Sequence, residues 1–136
     1  MYLLDTNVVS ELRKPRPNQA VLNWLQSVPD ADLFLPAVVL GELQRGVEQL
    51  RARDPERAAL VEQWVDQLAS SYEVVSMDAR VFREWARLVE GHPGQLIVDA
   101  MIAATAAVHG LTVVSRNVRD FERLGASVLN PFSSAH

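Results

Sequence analysis

Short apolar runs alternate with longer amphipathic stretches along this chain, and the alternation sets the expected elements. Tyr2-Leu3-Leu4 is apolar and stops abruptly at Asp5-Thr6-Asn7. That is the pattern of a buried strand whose C-terminal end delivers a carboxylate. Val8 to Leu12 reads as a short helical turn, and the two prolines of Lys14-Pro15-Arg16-Pro17 make the next segment a loop. Asn18 is placed to cap a helix carrying Val21, Leu22, Trp24, Leu25 and Val28. Leu33-Phe34-Leu35 predicts a second strand, and Pro36 opens a helix over residues 37 to 52. Asp54-Pro55-Glu56 starts another helix, with Leu60, Val61, Trp64, Val65 and Leu68 on one face. Residues 73 to 76 form the third strand. Asp78 caps a helix that turns Val81, Phe82, Trp85, Leu88 and Val89 inward and breaks at Gly91-His92-Pro93-Gly94. An alanine-dense helix over 95 to 109 ends at Gly110. A fourth strand over 111 to 115, a short helix over 117 to 124 and a last strand over 127 to 130 complete the chain. Strands separated by helices predict parallel pairing, hence an α/β fold: an α/β/α sandwich with a central, mostly parallel sheet.

At 136 residues the chain has the size of one domain, spanning 1–136. No apolar run approaches the roughly 20 residues that cross a bilayer, so no membrane role is expected. The N-terminus lacks a basic segment followed by a long apolar one, so no signal peptide is expected. There are 0 cysteines, which excludes a disulfide scaffold, a thiol nucleophile and thiolate-held zinc or iron–sulfur centres. A cytoplasmic setting fits. Net charge is −4, against a bulk electrostatic role in binding nucleic acid. Yet the cations are almost all arginine, with Lys14 the only lysine, and arginine suits bidentate contact with phosphate. Acids gathered around a bound cation would also make the formal charge misleading.

Parallel sheets bind ligands at the carboxyl ends of their strands. Asp5 ends the first strand, and Ser115, Arg116 and Asn117 end the fourth. Glu42 falls one to two turns into the helix after the second strand, and Asp99 about one turn into the alanine-rich helix. Asp5, Glu42, Asp99 and either Asn117 or Asp120 can therefore converge. Taken singly, Asp5 also reads as a local turn residue, and Glu42 and Asp99 as solvated helix positions. The apolar flanks of Asp99, Leu96-Ile97-Val98 and Ala100-Met101-Ile102, count against the bland reading. Two carboxylates ~4 Å apart repel by about 4 kcal/mol at an effective dielectric of ~20, so convergence calls for a proton or a divalent cation. All-oxygen donors favour Mg²⁺ or Mn²⁺ over zinc, and such ions assist phosphodiester hydrolysis.

Other residues are less directive. Arg116, Arg119 and Arg123 read as one helical stripe, and Arg13, Lys14 and Arg16 follow closely behind Asp5. Either group can contact RNA phosphates or form a solvated face. Trp24, Trp64 and Trp85 fit core or interface positions, with base stacking the alternative. His92, His109 and His136 share no metal-ligand spacing and have no nucleophile partner. An aspartyl-phosphate enzyme would need a second acid where Asn7 stands, and a receiver domain would need a further acidic pair and a late lysine.

Four motifs in order resemble those of PIN domains: Leu4-Asp5-Thr6-Asn7-Val8-Val9-Ser10-Glu11-Leu12, Gly41-Glu42-Leu43, Asp99-Ala100-Met101-Ile102-Ala103-Ala104-Thr105-Ala106, and Ser115-Arg116-Asn117 with Asp120-Phe121. The opening is most similar to that of VapC-type, FitB-like toxins of type II toxin–antitoxin pairs. The resemblance implies an α/β/α ribonuclease that cleaves RNA phosphodiester bonds with water activated by Mg²⁺ or Mn²⁺. It makes Asp5 and Asp99 the principal metal ligands, with Glu42 assisting the metal or the water. Asn117 or Asp120 fills the fourth position, Asn117 as a polar contact and Asp120 as an outer acid. Thr6 would orient Asp5 or a metal-bound water, Ser115 stands where many members have Thr and keeps the hydroxyl, and Thr6, Ser115 and Arg116 are the implied substrate-binding residues. The implied partners are RNA, a small VapB/FitA-like antitoxin and a second copy in a homodimer. DNA would be bound only indirectly, through the antitoxin. A PIN nuclease of RNA processing, and a silent antitoxin-binding module, are the alternatives.

Overall fold

The structure is a computed structural model describing residues 1–92 and 96–132. Five strands form one sheet: β1 (Tyr2–Leu4), β2 (Leu33–Pro36), β3 (Glu73–Val75), β4 (Thr112–Val114) and β5 (Val128–Leu129). They lie in the order β3-β2-β1-β4-β5, and every neighbouring pair is parallel. The expected parallel α/β/α architecture is therefore what the chain adopts. The two central strands are nearly continuous apolar runs, as strands covered on both faces must be. Leu3, Leu4, Val113 and Val114 are fully buried.

The helices are α1 (Thr6–Val9), α2 (Gln19–Ser27), α3 (Ala37–Arg51), α4 (Pro55–Ser71), α5 (Ala79–Gly91), α6 (Ile97–His109) and α7 (Val118–Arg123). A 3₁₀ turn, Ser10–Arg13, extends α1. Helix starts follow local chemistry. The side chains of Asn18, Asp54 and Asp78 each accept the backbone N–H three residues on, at 3.1–3.2 Å. Gly110, at φ 65°, closes α6 in the left-handed conformation that glycine adopts without a Cβ clash. Helix α6 is the apolar centre of the molecule, with Ala100, Ile102, Ala103, Ala104 and Ala106 buried. Alanine lets α5 pack closely against it. Phe121 of α7 is fully buried, a contribution of roughly 1.5–3 kcal/mol.

Three expectations need correction. Leu60 and Phe82, both placed inward by periodicity, are 66% and 47% exposed. Helical spacing defines a stripe, but among the described residues no neighbouring element covers these two. The alanine-rich helix begins at Ile97, after Leu96 in a left-handed conformation (φ 63°). Gln95, Pro93 and Gly94 lie outside the described residues.

Candidate active site

The parallel register brings the first and fourth motifs together. Leu4 pairs with Val114, so Asp5 and Ser115 are the next positions on adjacent strands. The Asp5 N–H donates to Val114 O at 3.0 Å and extends the ladder by one bond. Asp5 then leaves the sheet as the N-cap of α1, its Oδ1 accepting the Thr6 N–H at 2.7 Å. Its other oxygen, Oδ2, accepts the Ser115 hydroxyl at 2.7 Å. Asp5 thus plays both roles the sequence allowed, turn residue and presented carboxylate. It is 4% exposed.

Asn7 locks this corner. Its Nδ2 donates to Ser115 Oγ at 3.3 Å and lies 3.5 Å from Asp5 Oδ2, while its Oδ1 accepts the Arg116 N–H at 3.2 Å. The Asn117 N–H donates to Ser115 Oγ at 2.9 Å. The side chain of Asn117 caps nothing and is exposed. Sequence reasoning gave Asn7 no part at the site beyond filling the place of an absent acid. The available signal was a carboxamide two residues after the strand-end carboxylate, followed by two valines that turn inward.

Glu42 arrives from α3. Its Oε1 accepts the Thr6 hydroxyl at 2.6 Å, so Thr6 ties Glu42 to the residue beside Asp5. Asp99 lies in the first turn of α6 and Asp120 in that of α7. Burial, and then the charges of Asp5, Asp120 and Glu42 in that order, push the Asp99 pKa up to about 6. The first turn of a helix favours an anion, so these opposing influences outweigh the helix dipole. Burial also raises Asp5, against the lowering effect of the Ser115 and Thr6 hydrogen bonds, and Glu42 raises it further. Four of the five predicted site residues are thus linked through Asp99, which feels Asp5, Asp120 and Glu42, while Asp5 also feels Glu42.

They do not close on a single point. Among the described residues no three acidic or histidine side chains converge tightly enough to hold an ion as they stand. None of these four carboxylates has an ion pair among the described residues. This is uncompensated negative charge in a partly dry setting, and the donors are all oxygen. That chemistry suits a hard divalent cation and offers nothing to a soft one.

Arg116 departs from the expected stripe. It precedes α7, and its guanidinium lies 4.0 Å from the centre of the Phe132 ring. Arg119 and Arg123 are on α7 itself and exposed. Glu11, quoted only as part of a motif, is 3% exposed. It accepts the Lys14 ammonium and, at 2.8 Å, the Asn18 N–H. These bonds hold its carboxyl below the usual range and tie the basic loop to the start of α2.

A PIN-domain family model matches residues 2–126. The chain belongs to the PIN-domain family. This PIN domain is 33% identical to the toxin FitB of Neisseria gonorrhoeae over 97% of its own length and 99% of that protein's. It is 34% identical to the VapC ribonuclease Y4jK of Sinorhizobium fredii over 99% and 100%. Among solved structures it resembles FitAcB from Neisseria gonorrhoeae, with a TM-score of 0.86 at 32% identity over 97% of this chain and 99% of that one. FitAB bound to an IR36 DNA fragment superposes with a TM-score of 0.87 at 29% identity, covering 100% and 99%.

Proposed function

We propose that this PIN domain is a metal-dependent ribonuclease and the toxin of a type II toxin–antitoxin pair. The observation that carries this reading is the cluster of Asp5, Glu42, Asp99 and Asp120 at the carboxyl edge of the sheet, without an ion pair among the described residues. Near-full-length similarity to proteins named as a VapC ribonuclease and a FitB toxin supports it.

Asp5 and Asp99 are the principal ligands for Mg²⁺ or Mn²⁺, with Glu42 assisting. A divalent ion held there would supply charge neutralisation and lower the pKa of a water. The rest of the work belongs to side chains. Ser115 and the Thr6 N–H fix the two oxygens of Asp5, and the Thr6 hydroxyl fixes Glu42. Asn7 sets the backbone of Arg116, whose guanidinium is held against Phe132 as a substrate contact. Asn117 supplies a polar contact and Asp120 an outer acid. A small antitoxin of the VapB/FitA kind covers the site, DNA is reached through that antitoxin, and the toxin pairs as a homodimer in the cytoplasm.

Growth after induced expression tests the toxin role. Arrest by the native chain, relieved both by Asp5→Ala and by co-expression of the neighbouring small gene, is expected. Arrest that persists in Asp5→Ala would overturn the nuclease basis. Robust RNA cleavage in vitro without arrest would favour an RNA-processing nuclease.

A further inference from the structure

A basic pocket adjoins the carboxylate cluster. Its volume is about 230 Å³, and Arg13, Glu42, Leu50, Arg53, Arg57 and Val61 are among its lining residues. Arg13 comes from the turn after α1, Arg53 from the α3–α4 connection and Arg57 from the first turns of α4. None of the three guanidiniums has a carboxylate partner among the described residues. The nearby acids Glu48 and Glu62 are both engaged by Arg51 instead. Arg13 is further held with its guanidinium 5.9 Å from the centre of the Trp64 ring. Three unpaired arginines around one concavity are notable in a chain of net charge −4.

We propose that this pocket is a phosphate-binding subsite for RNA, holding the backbone on the α3–α4 flank of the scissile bond. The inference rests on the ribonuclease reading and adds a substrate path to it. Guanidinium forks match phosphate oxygens, and the apolar floor of Leu50 and Val61 takes a sugar or base face. Continuity with the reacting centre runs through Glu42, which lines the pocket and accepts the Thr6 hydroxyl beside Asp5. In a chain of net charge −4, a local group of cations guides where a polyanionic strand lies, as Arg116 does on the other flank.

The test uses the full chain and a fluorescein-labelled, unstructured oligoribonucleotide. Binding is followed by anisotropy in EDTA, and cleavage in Mn²⁺. The double variant Arg53→Gln with Arg57→Gln is compared with Arg80→Gln with Arg83→Gln. The control pair removes equal charge in the first turns of α5, where Arg80 lies 3.8 Å from Asp78 and neither arginine lines the pocket. The pocket variant should bind RNA about 10-fold more weakly and show KM raised by a similar factor at nearly constant kcat. Its log–log salt slope should fall by about 1.4, for two contacts at ~0.7 each. An equal loss in the control pair, or unchanged KM in the pocket variant while the native chain cleaves, would overturn the subsite alone. So would a pocket variant that cleaves normally but escapes inhibition by the neighbouring gene product, since the pocket would then hold a protein. A native chain that neither binds nor cleaves RNA would overturn both the subsite and the ribonuclease reading.

Discussion

The Ser115 hydroxyl donates to Asp5 Oδ2 at 2.7 Å, joining residues 110 positions apart across the ends of two adjacent strands. The bond is buried and charge-assisted, and it offsets part of the burial that raises the Asp5 pKa. Ser115→Ala should therefore cost about 1.5–3 kcal/mol of stability, read as a lower urea midpoint. It should also move the acid limb of the pH–rate profile to higher pH, because Asp5 loses a donor that favours its charged form. An unmoved acid limb would contradict this role for Ser115.

Asp99 carries a signed pH dependence. Its folded pKa of about 6 lies above the ordinary carboxylate value of 3.8. Between those values the folded state binds more protons than the unfolded one, so metal-free stability falls as pH rises from about 4 to above 6. Asp99→Asn keeps the size and removes the repulsion. Relative to the native chain, its melting temperature should gain steadily across that window while cleavage is lost. A constant difference between the two across pH would count against this electrostatic account.

A divalent ion should reverse the native trend. Metal that binds only the folded state adds about 2.7 kcal/mol at 100 times its Kd. Mn²⁺ or Mg²⁺ should raise the melting temperature of the EDTA-treated native chain near pH 7.5. The rise should shrink as pH falls through about 6, where Asp99 takes up a proton that competes with the ion. Asp99→Asn should show little rise at either pH. Thermal scans over pH and metal concentration check all three statements.

Glu11 supports the site from below without belonging to it. Glu11→Ala leaves the Asn18 N–H and the Lys14 ammonium without their shared acceptor. A loss of about 1–3 kcal/mol is expected, with cleavage by the folded fraction retained. Loss of cleavage at full folding would instead place Glu11 in the reacting machinery.

Much of this architecture was legible in the chain because local signals agreed with one another. Strand-length apolar runs ending in Asp5 and Ser115, and Asn, Asp and Pro at helix starts, all pointed to a parallel α/β sheet. The carboxylates were legible for the same reason, each standing at a strand end or in a helix turn near one. Contacts between distant segments were not. Nothing local says that Asn7 would reach Ser115 and Arg116, or that Arg116 would leave the α7 stripe to lie over Phe132. Periodicity also overran at Leu60 and Phe82, because it reports which residues share a face and not whether another element covers it. The arginines of the pocket come from three separate segments, and only the packing of the turn after α1 against α3 and α4 gathers them.

Cleavage of a labelled RNA by purified, antitoxin-free protein tests the central claim most directly. The native chain should cleave in Mn²⁺ or Mg²⁺, stop in EDTA and resume when the ion is restored. Asp99→Asn, folded by circular dichroism, should be inactive throughout. Equal cleavage by the native chain and Asp99→Asn, or cleavage indifferent to EDTA, would contradict the metal-dependent carboxylate site.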